Sequence, residues 1–173
     1  MKISDAVNLI QGADIAQTNA TVWADLGCGS GTFTLALAHL LAADSSIYAI
    51  DKQKQSITAP EHVSIIFRQA DFEYDVLELP LLDGILMANA LHYVVDKEAL
   101  LSRLLQYIRP AGGLLLVEYD TLKANPWVPY PIDFQHMKSL LQSLGIKQVE
   151  KLGERRSLYN ASPMYACFAR KDK

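Results

Sequence analysis

The stretch ADLGCGSGTFT, residues 24–34, contains three glycines within five positions, Gly27, Gly29 and Gly31. An apolar run precedes it, and residues with the apolar spacing of a helix follow it. Glycine allows a backbone to adopt positive φ and to lie close to a bound group. The stretch therefore predicts a loop between a strand and a helix, at which a nucleotide-like ligand binds.

Short apolar runs bounded by polar or glycine residues recur along the chain. Runs of this kind are typical of parallel strands that are covered on both faces. They predict five strands, at residues 21–26, 47–50, 63–67, 84–88 and 114–117.

Apolar residues at helical spacing separate several of these strands, which predicts a doubly wound α/β fold with helices on both faces of the sheet. One helix follows the glycine loop, a second is capped by Asp96, and a third begins near Asp133 and ends at Gly145. The segment 51–62 is short for a connecting helix, and Pro60 shortens it further. We expect only one or two helical turns there.

The pattern changes after Gly145, where two further strands are predicted at residues 146–153 and 163–171 with no helix between them. Such a pair forms an antiparallel hairpin. The sequence therefore predicts a mostly parallel seven-stranded sheet with a C-terminal antiparallel hairpin strand, in one domain that spans residues 1–173.

The composition excludes several classes of function. The chain has 16 basic and 19 acidic residues, a net charge of -3, and no stripe of lysine and arginine, which argues against binding of duplex nucleic acid. No apolar segment is long enough to span a membrane, so we expect a cytoplasmic protein without a membrane partner. Histidine, cysteine and acidic residues do not cluster at metal-ligand spacing, and we predict no metal.

The spacing of the glycines distinguishes between two classes of nucleotide-like cofactor. Dinucleotide-binding loops have the pattern G-x-G-x-x-G, whereas this chain has G-x-G-x-G with Asp25 two positions before the first glycine. With this D-x-G-x-G-x-G pattern, the chain resembles the class I S-adenosylmethionine-dependent methyltransferases over nearly its whole length. The resemblance implies S-adenosyl-L-methionine as the cofactor and methyl transfer as the activity.

The resemblance also implies roles for residues at the ends of the strands. Asp51 matches the acidic residue that binds both ribose hydroxyls, and a carboxylate suits a vicinal diol because it accepts two hydrogen bonds. Asp71 and Phe72 match the segment that contacts the adenine, and Asn89 and Ala90 match the segment beside the methionine moiety.

Asp25 has two interpretations: it caps the loop by accepting backbone N–H groups, or it helps to hold the amino-acid end of the cofactor. The full set of predicted cofactor-binding residues is Asp25, Gly27, Cys28, Gly29, Gly31, Asp51, Lys52, Asp71, Phe72, Asn89 and Ala90.

The acceptor site is predicted from topology, because ligands of open α/β sheets bind beyond the carboxyl ends of the strands. His92 follows the fourth strand, and it acts as a general base, orients the nucleophile or only packs. Trp127 and Tyr130 stack on a substrate, act as a lid or only cover the edge of the sheet. Arg155 and Arg156 either bind an anionic group or remain solvated. The predicted acceptor-binding residues are His92, Tyr119, Trp127, Tyr130, Arg155 and Arg156.

Three classes of function remain open at this point. The first is methyl transfer to a small-molecule acceptor by in-line displacement, which the lack of a large insertion for substrate recognition favours. The second is methylation of a macromolecule together with a partner subunit, and the third is binding of S-adenosylmethionine without catalysis. The sequence does not determine the oligomeric state.

Overall fold

The computed structural model describes residues 1–15, 18–156 and 162–172. The strands are β1 (Val22–Leu26), β2 (Ser45–Asp51), β3 (Val63–Gln69), β4 (Leu82–Ala88), β5 (Ile108–Tyr119), β6 (Gln148–Arg155) and β7 (Met164–Arg170). The helices are α1 (Ile3–Ile10), α2 (Thr32–Leu40), α3 (Lys97–Leu104) and α4 (Phe134–Ser143), with a short 3₁₀-helix at Leu91–Tyr93.

The seven strands form one sheet in the order β3-β2-β1-β4-β5-β7-β6. Strands β1 to β5 pair in parallel, whereas β7 is antiparallel to both β5 and β6. The prediction of a doubly wound sheet with a C-terminal antiparallel hairpin strand is confirmed. Residues 157–161 of the hairpin loop lie outside the described residues.

Helices cover both faces of the sheet, as predicted. On one face, α1 and α2 bury apolar side chains such as Leu9, Ile10 and Leu37 against the strands. On the other face, α3 and α4 bury Leu101 and Met137 among side chains of β4, β5 and β7. Burial of these apolar surfaces drives the two layers onto the sheet.

Two predictions were wrong for local reasons, one about a helix in a connection and one about the start of a strand. Residues 52–62 contain no helix, because this short segment crosses directly to β3 as bends and a turn near Pro60. Strand β5 begins at Ile108 rather than at residue 114, and its first residues run through the RPAGG segment, where Ala111 has a φ of +65°. Turn-forming residues therefore lie inside this strand rather than before it.

Helix α1 was not predicted from the sequence. Its buried residues Ala6, Leu9 and Ile10 have the i, i+3, i+4 spacing of one helix face, which is the signal that was available. No helix among the described residues is both long and apolar enough to cross a membrane.

Candidate functional site

The carboxyl ends of the parallel strands meet at one edge of the sheet, where the loops after β1 to β4 line two cavities. The first cavity has a volume of about 520 Å³, and its lining includes Asp51, Asp71 and Phe72. The second has a volume of about 220 Å³ and is lined by the glycine loop together with Asp25. Gly27 and Asn89 line both cavities, so the two cavities adjoin at these residues.

The three glycines of the loop have different reasons to be glycine, although all have positive φ. A Cβ atom on Gly27 would lie 2.8 Å from the Cβ of Ala90, and one on Gly31 would lie 2.8 Å from the side chain of Ile57. A Cβ on Gly29 would contact no atom within 4 Å, so packing does not require glycine there. Gly29 lines the second cavity, whereas Gly31 lines neither cavity.

Asp51 connects the end of β2 to the glycine loop. Its Oδ2 accepts the backbone N–H of Gly29 at 2.8 Å, and its Oδ1 accepts that of Gln53 at 2.9 Å. Each carboxylate oxygen has two lone pairs, so both retain the capacity to accept a further hydrogen bond. Asp51 therefore fixes the loop and also presents acceptor atoms to the first cavity.

The segment after β3 is held by a residue that the sequence analysis missed. Arg103 of α3 donates hydrogen bonds to the carbonyl oxygens of Phe72 at 2.6 Å, Glu73 at 2.7 Å and Asp75 at 3.1 Å. The carboxylate of Asp71 accepts the backbone N–H of Glu73 at 3.0 Å. These contacts fix the wall of the first cavity, and a lone arginine in an amphipathic helix gave no sequence signal for this role.

Two buried oxygens beside the second cavity have no hydrogen-bond partner among the described residues, Oδ1 of Asp25 and Oδ1 of Asn89. Unpaired buried acceptors are rare in proteins, so a group that donates hydrogen bonds at this cavity would satisfy both oxygens. Asn89 also has a φ of +53°, a left-handed conformation that is uncommon outside glycine and often occurs at functional sites.

The environment of Asp25 changes its acidity. The residue is 1% exposed, and its Oδ2 accepts the hydroxyl of Thr34 at 2.6 Å. Burial raises the pKa of Asp25 to about 7, with the charge of Asp51 adding to the shift and the Thr34 hydrogen bond opposing it. The structure shows no backbone N–H bonded to this carboxylate in the described part of the chain, so it does not act as the predicted loop cap.

Cys28 lies in the glycine loop and lines the second cavity. Burial and the nearby charges of Asp25 and Asp51 raise the pKa of the Cys28 thiol to about 12. The side chain is therefore a neutral thiol near pH 7 and does not supply a thiolate nucleophile.

His92, which follows β4, and Glu118, near the end of β5, form a buried pair at the carboxyl edge of the sheet. His92 is 2% exposed and Glu118 is fully buried, with Nδ1 of the histidine 2.6 Å from Oε2 of the glutamate. The other oxygen, Oε1, accepts the backbone N–H of Leu91 at 2.9 Å and that of His92 at 3.2 Å. Glu118 was missed as a site residue, although a single acidic residue at the end of an apolar strand was the available signal.

The aromatic loop after β5 is attached to the same histidine. The backbone N–H of Tyr130 donates to the carbonyl oxygen of His92 at 2.9 Å, and Nζ of Lys97 lies 5.7 Å from the centre of the Tyr130 ring. The side chain of Trp127 is 80% exposed. The loop is therefore fixed through its backbone while its tryptophan faces solvent.

The structure brings the predicted cofactor residues together more completely than the predicted acceptor residues. Apart from Gly31, every predicted cofactor residue lines one of the two cavities. None of the predicted acceptor residues lines either cavity, and Tyr119 contacts the His92 ring with a centre-to-centre distance of 5.9 Å. Arg155 donates to Asp5 of α1 at 2.9 Å, and Arg156 is exposed. Among the described residues, no group of three or more histidine, cysteine or acidic side chains is arranged to hold a metal ion.

A family model described as a methyltransferase domain matches residues 17–161. This match covers most of the chain, including the glycine loop, Asp51 and the His92–Glu118 pair. The chain belongs to the methyltransferase domain family. The resemblance to the class I S-adenosylmethionine-dependent methyltransferases is confirmed.

One curated relative of this methyltransferase domain is the O-methyltransferase cnsE of Penicillium expansum. The two sequences are 27% identical over 114 residues, which cover 62% of this chain and 41% of the relative. The chain therefore spans less than half the length of this relative.

Two solved methyltransferases have the same fold. The 1,6-didemethyltoxoflavin-N1-methyltransferase of Burkholderia thailandensis, solved with 1,6-didemethyltoxoflavin and S-adenosylhomocysteine, superposes with a TM-score of 0.71 at 17% identity, covering 99% of this chain and 78% of that one. Human N-acetylserotonin methyltransferase in complex with S-adenosylmethionine superposes with a TM-score of 0.70 at 22% identity, covering 98% of this chain and 52% of that one. At these identities the likeness establishes the shared fold.

Proposed function

We propose that this chain is an S-adenosylmethionine-dependent methyltransferase that transfers a methyl group to a small-molecule acceptor. One observation carries the proposal: two adjoining cavities share Gly27 and Asn89, and hydrogen-bond acceptors line both of them. S-adenosylmethionine has donors at both ends, the ribose hydroxyls and adenine amine at one and the ammonium at the other. The residues present fit this group.

The first cavity suits the nucleoside end of the cofactor. The free lone pairs of Asp51 are placed to accept the two ribose hydroxyls, while the Phe72 ring offers apolar surface to the adenine. Ala90, which was expected beside the methionine moiety, lines this cavity and not the second one. Asp71 offers an acceptor for the exocyclic amine. Lys52 lies at the exposed rim of this cavity.

The second cavity suits the amino-acid end. The unpaired oxygens of Asp25 and Asn89 would accept hydrogen bonds from the ammonium group, which removes the cost of leaving them buried and unpaired. Gly29 presents a backbone without a side chain at the same cavity, so the loop can approach the bound group closely.

The bound cofactor would supply an activated methyl group on its sulfonium. The protein then has to bring the acceptor into line with the S–CH3 bond and exclude water, which are orientation effects that contribute much of the rate. The loops after β4 and β5 are held together through His92, so they form a fixed wall on the acceptor side.

We further propose that His92 receives a proton from the acceptor. A carboxylate at 2.6 Å from Nδ1 stabilises the tautomer that carries its hydrogen there, which leaves Nε2 as the basic nitrogen. The same carboxylate would stabilise the imidazolium that forms when Nε2 takes up a proton. Trp127 and Tyr130 would supply apolar contact to the acceptor.

The small-molecule class is supported by what related proteins act on. The relative from Penicillium expansum is an O-methyltransferase, and two of the solved neighbours are named for 1,6-didemethyltoxoflavin and N-acetylserotonin. We propose an acceptor of similar size for this chain. The cytoplasmic location inferred from the sequence, and the single domain of residues 1–173, stay predictions.

Calorimetry with S-adenosylhomocysteine tests the cofactor assignment, and a library of small metabolites with a methyl-labelled donor then tests the acceptor class. We expect micromolar binding by the wild-type protein and label transfer to at least one small molecule. Absence of binding would refute the proposal. Binding without transfer to any small molecule, but with transfer to a protein or RNA fraction, would refute the small-molecule acceptor alone.

A further inference from the structure

Met1 lines the second cavity together with Gly29 and Asp25, so the first turn of α1, which begins two residues later, lies next to this cavity. We infer that the ion pair between Asp5 and Arg155 is a clasp that holds this turn over the cavity. Arg155 is then a positioning residue for the cofactor instead of a contact for the acceptor. The inference rests on the proposed function, since it takes the second cavity to hold the amino-acid end of S-adenosylmethionine.

The clasp joins two parts of the chain that are distant in sequence. Nη2 of Arg155, the last residue of β6, lies 2.9 Å from Oδ2 of Asp5. The side chains of Arg155 and Asp5 are only 28% and 31% exposed, so solvent and salt screen the pair less than a fully exposed one. The same Oδ2 accepts the backbone N–H of Lys2 at 3.3 Å. One carboxylate oxygen therefore connects Arg155 to the backbone adjacent to Met1.

Packing does not hold this turn by itself. Residues 1–4 are exposed, and the first buried side chain of α1 is Ala6. Leu9 and Ile10 anchor the later part of the helix in the core. The contacts of Asp5 therefore connect the exposed residues before Ala6 to the rest of the molecule.

The clasp acts on cofactor affinity through the position of Met1. When the first turn is held, Met1 covers the cavity beside the glycine loop and limits the access of water to a group bound there. When the ion pair is lost, the covered arrangement is populated less, and the apparent affinity falls in proportion. Loss of a partly exposed ion pair changes the equilibrium between the covered and uncovered arrangements about threefold to fivefold.

The affinities for two ligands distinguish a clasp at the second cavity from a general structural role of the ion pair. S-adenosylhomocysteine has the amino-acid end, whereas 5′-methylthioadenosine has the nucleoside and the sulfur but lacks that end. We expect Arg155→Ala and Asp5→Ala each to weaken binding of S-adenosylhomocysteine about threefold to fivefold and to leave binding of 5′-methylthioadenosine unchanged. The charge reversal Asp5→Arg with Arg155→Asp should recover part of the lost affinity for S-adenosylhomocysteine, because it restores the ion pair but not the hydrogen bond from the backbone N–H of Lys2.

Two further variants complete the experiment. Arg155→Lys keeps the charge and should behave nearly as wild type, and it remains informative if Arg155→Ala folds poorly. Lys147→Ala removes another ion pair, the one with Asp172 at 3.0 Å, and should leave both ligands unaffected.

Unchanged affinity for S-adenosylhomocysteine in both single variants would overturn the clasp. An equal loss for both ligands would overturn it as well, because it would indicate general destabilisation. If the wild-type protein bound neither ligand, the proposed function would be refuted, and the clasp with it.

Discussion

Glu118 contacts His92 twice, once through the imidazole ring and once through the backbone. Oε2 lies 2.6 Å from Nδ1, and Oε1 accepts the backbone N–H of the same residue at 3.2 Å. Because His92 in turn accepts the N–H of Tyr130, one buried carboxylate determines how the loops after β4 and β5 meet. The proposed base, His92, and the proposed wall of the acceptor site, formed by the loops after β4 and β5, therefore both depend on Glu118.

This dependence predicts separate effects of the two partners. His92→Gln should lower kcat by about 10²-fold or more, because general-base catalysis contributes on that scale, and should leave affinity for S-adenosylhomocysteine unchanged. Glu118→Gln keeps the shape but removes the charge, so it should lower kcat less and raise KM for the acceptor. Steady-state kinetics with calorimetry distinguish these outcomes. An unchanged kcat for His92→Gln would assign the residue to packing alone.

Removal of the Asp51 carboxylate should strongly weaken binding of the cofactor. Asp51→Ala deletes two acceptors for the ribose hydroxyls and also releases Gly29 from its 2.8 Å contact. We expect a loss of about 2–4 kcal/mol in binding free energy, measured by calorimetry. Glu61→Ala, an exposed acidic residue before β3, serves as the control. Equal affinities in the two variants would remove Asp51 from the ribose site.

A matched pair of glycines, one in the glycine loop and one elsewhere, tests whether the loop binds the cofactor. Gly29 and Gly145 both have positive φ, and a Cβ on either would contact no atom within 4 Å. Valine at each position should therefore cost a similar amount of stability, about 1–2 kcal/mol, from backbone strain. Only Gly29→Val should abolish binding of S-adenosylhomocysteine, because only Gly29 lines the second cavity. Equal binding by both variants would mean that Gly29 serves only the turn.

The raised pKa of Asp25 predicts how stability depends on pH. Folding favours the protonated carboxyl, because burial raises the pKa of Asp25 from 3.8 to about 7. Its contribution is present below about pH 4 and is lost as pH rises through 7. Relative to Asp25→Asn, the wild-type protein without ligand should lose up to about 1.4 kcal/mol of unfolding free energy per pH unit over this interval. Urea denaturation at several pH values measures the unfolding free energies of both proteins. If the two free energies changed with pH in parallel, this would contradict the raised pKa of Asp25.

The same shift predicts the pH dependence of cofactor binding. An ammonium group binds the ionised carboxylate, so affinity for S-adenosylhomocysteine should fall by about threefold to tenfold from pH 8 to pH 6. Asp25→Asn should bind more weakly at pH 8 and show a flatter profile. Identical profiles in the two proteins would place the ammonium away from Asp25.

Most residues that were predicted to bind the cofactor line the two cavities, because their spacing along the chain translates directly into position there. Their contacts with the cofactor stay predictions. The family resemblance supplied the expected roles of Asp51 and Asp71. Residues at the ends of neighbouring parallel strands meet at one edge of the sheet, which accounts for their place there together with Asp25. The spacing of Ala6, Leu9 and Ile10 was an available signal for helix α1, but its ion pair with Arg155 could not be found from spacing, because it joins residues 150 positions apart.

The acceptor side was harder to predict for a related reason. The role of Glu118 depends on a side-chain contact with His92 across two strand ends, and apolar periodicity does not report such contacts. The one or two helical turns expected in residues 52–62 are absent for a local reason: the connection is short and contains Pro60, and it crosses to β3 with bends and one turn while Ile57 lies against Gly31.

The exposed tryptophan of the aromatic loop provides the last prediction. Trp127 is 80% exposed, and burial of such a surface against an acceptor would contribute binding free energy and exclude water from the reacting atoms. Once an acceptor is known, Trp127→Ala should lower kcat/KM by about tenfold to a hundredfold, mainly through KM, with cofactor affinity unchanged because Trp127 lines neither cavity. Leu122→Ala, on the same loop and 56% exposed, is the matched control and should change kcat/KM less than twofold. If both variants turn over normally, the acceptor binds away from this loop; if Trp127→Ala loses cofactor instead, the loop belongs to the nucleotide site.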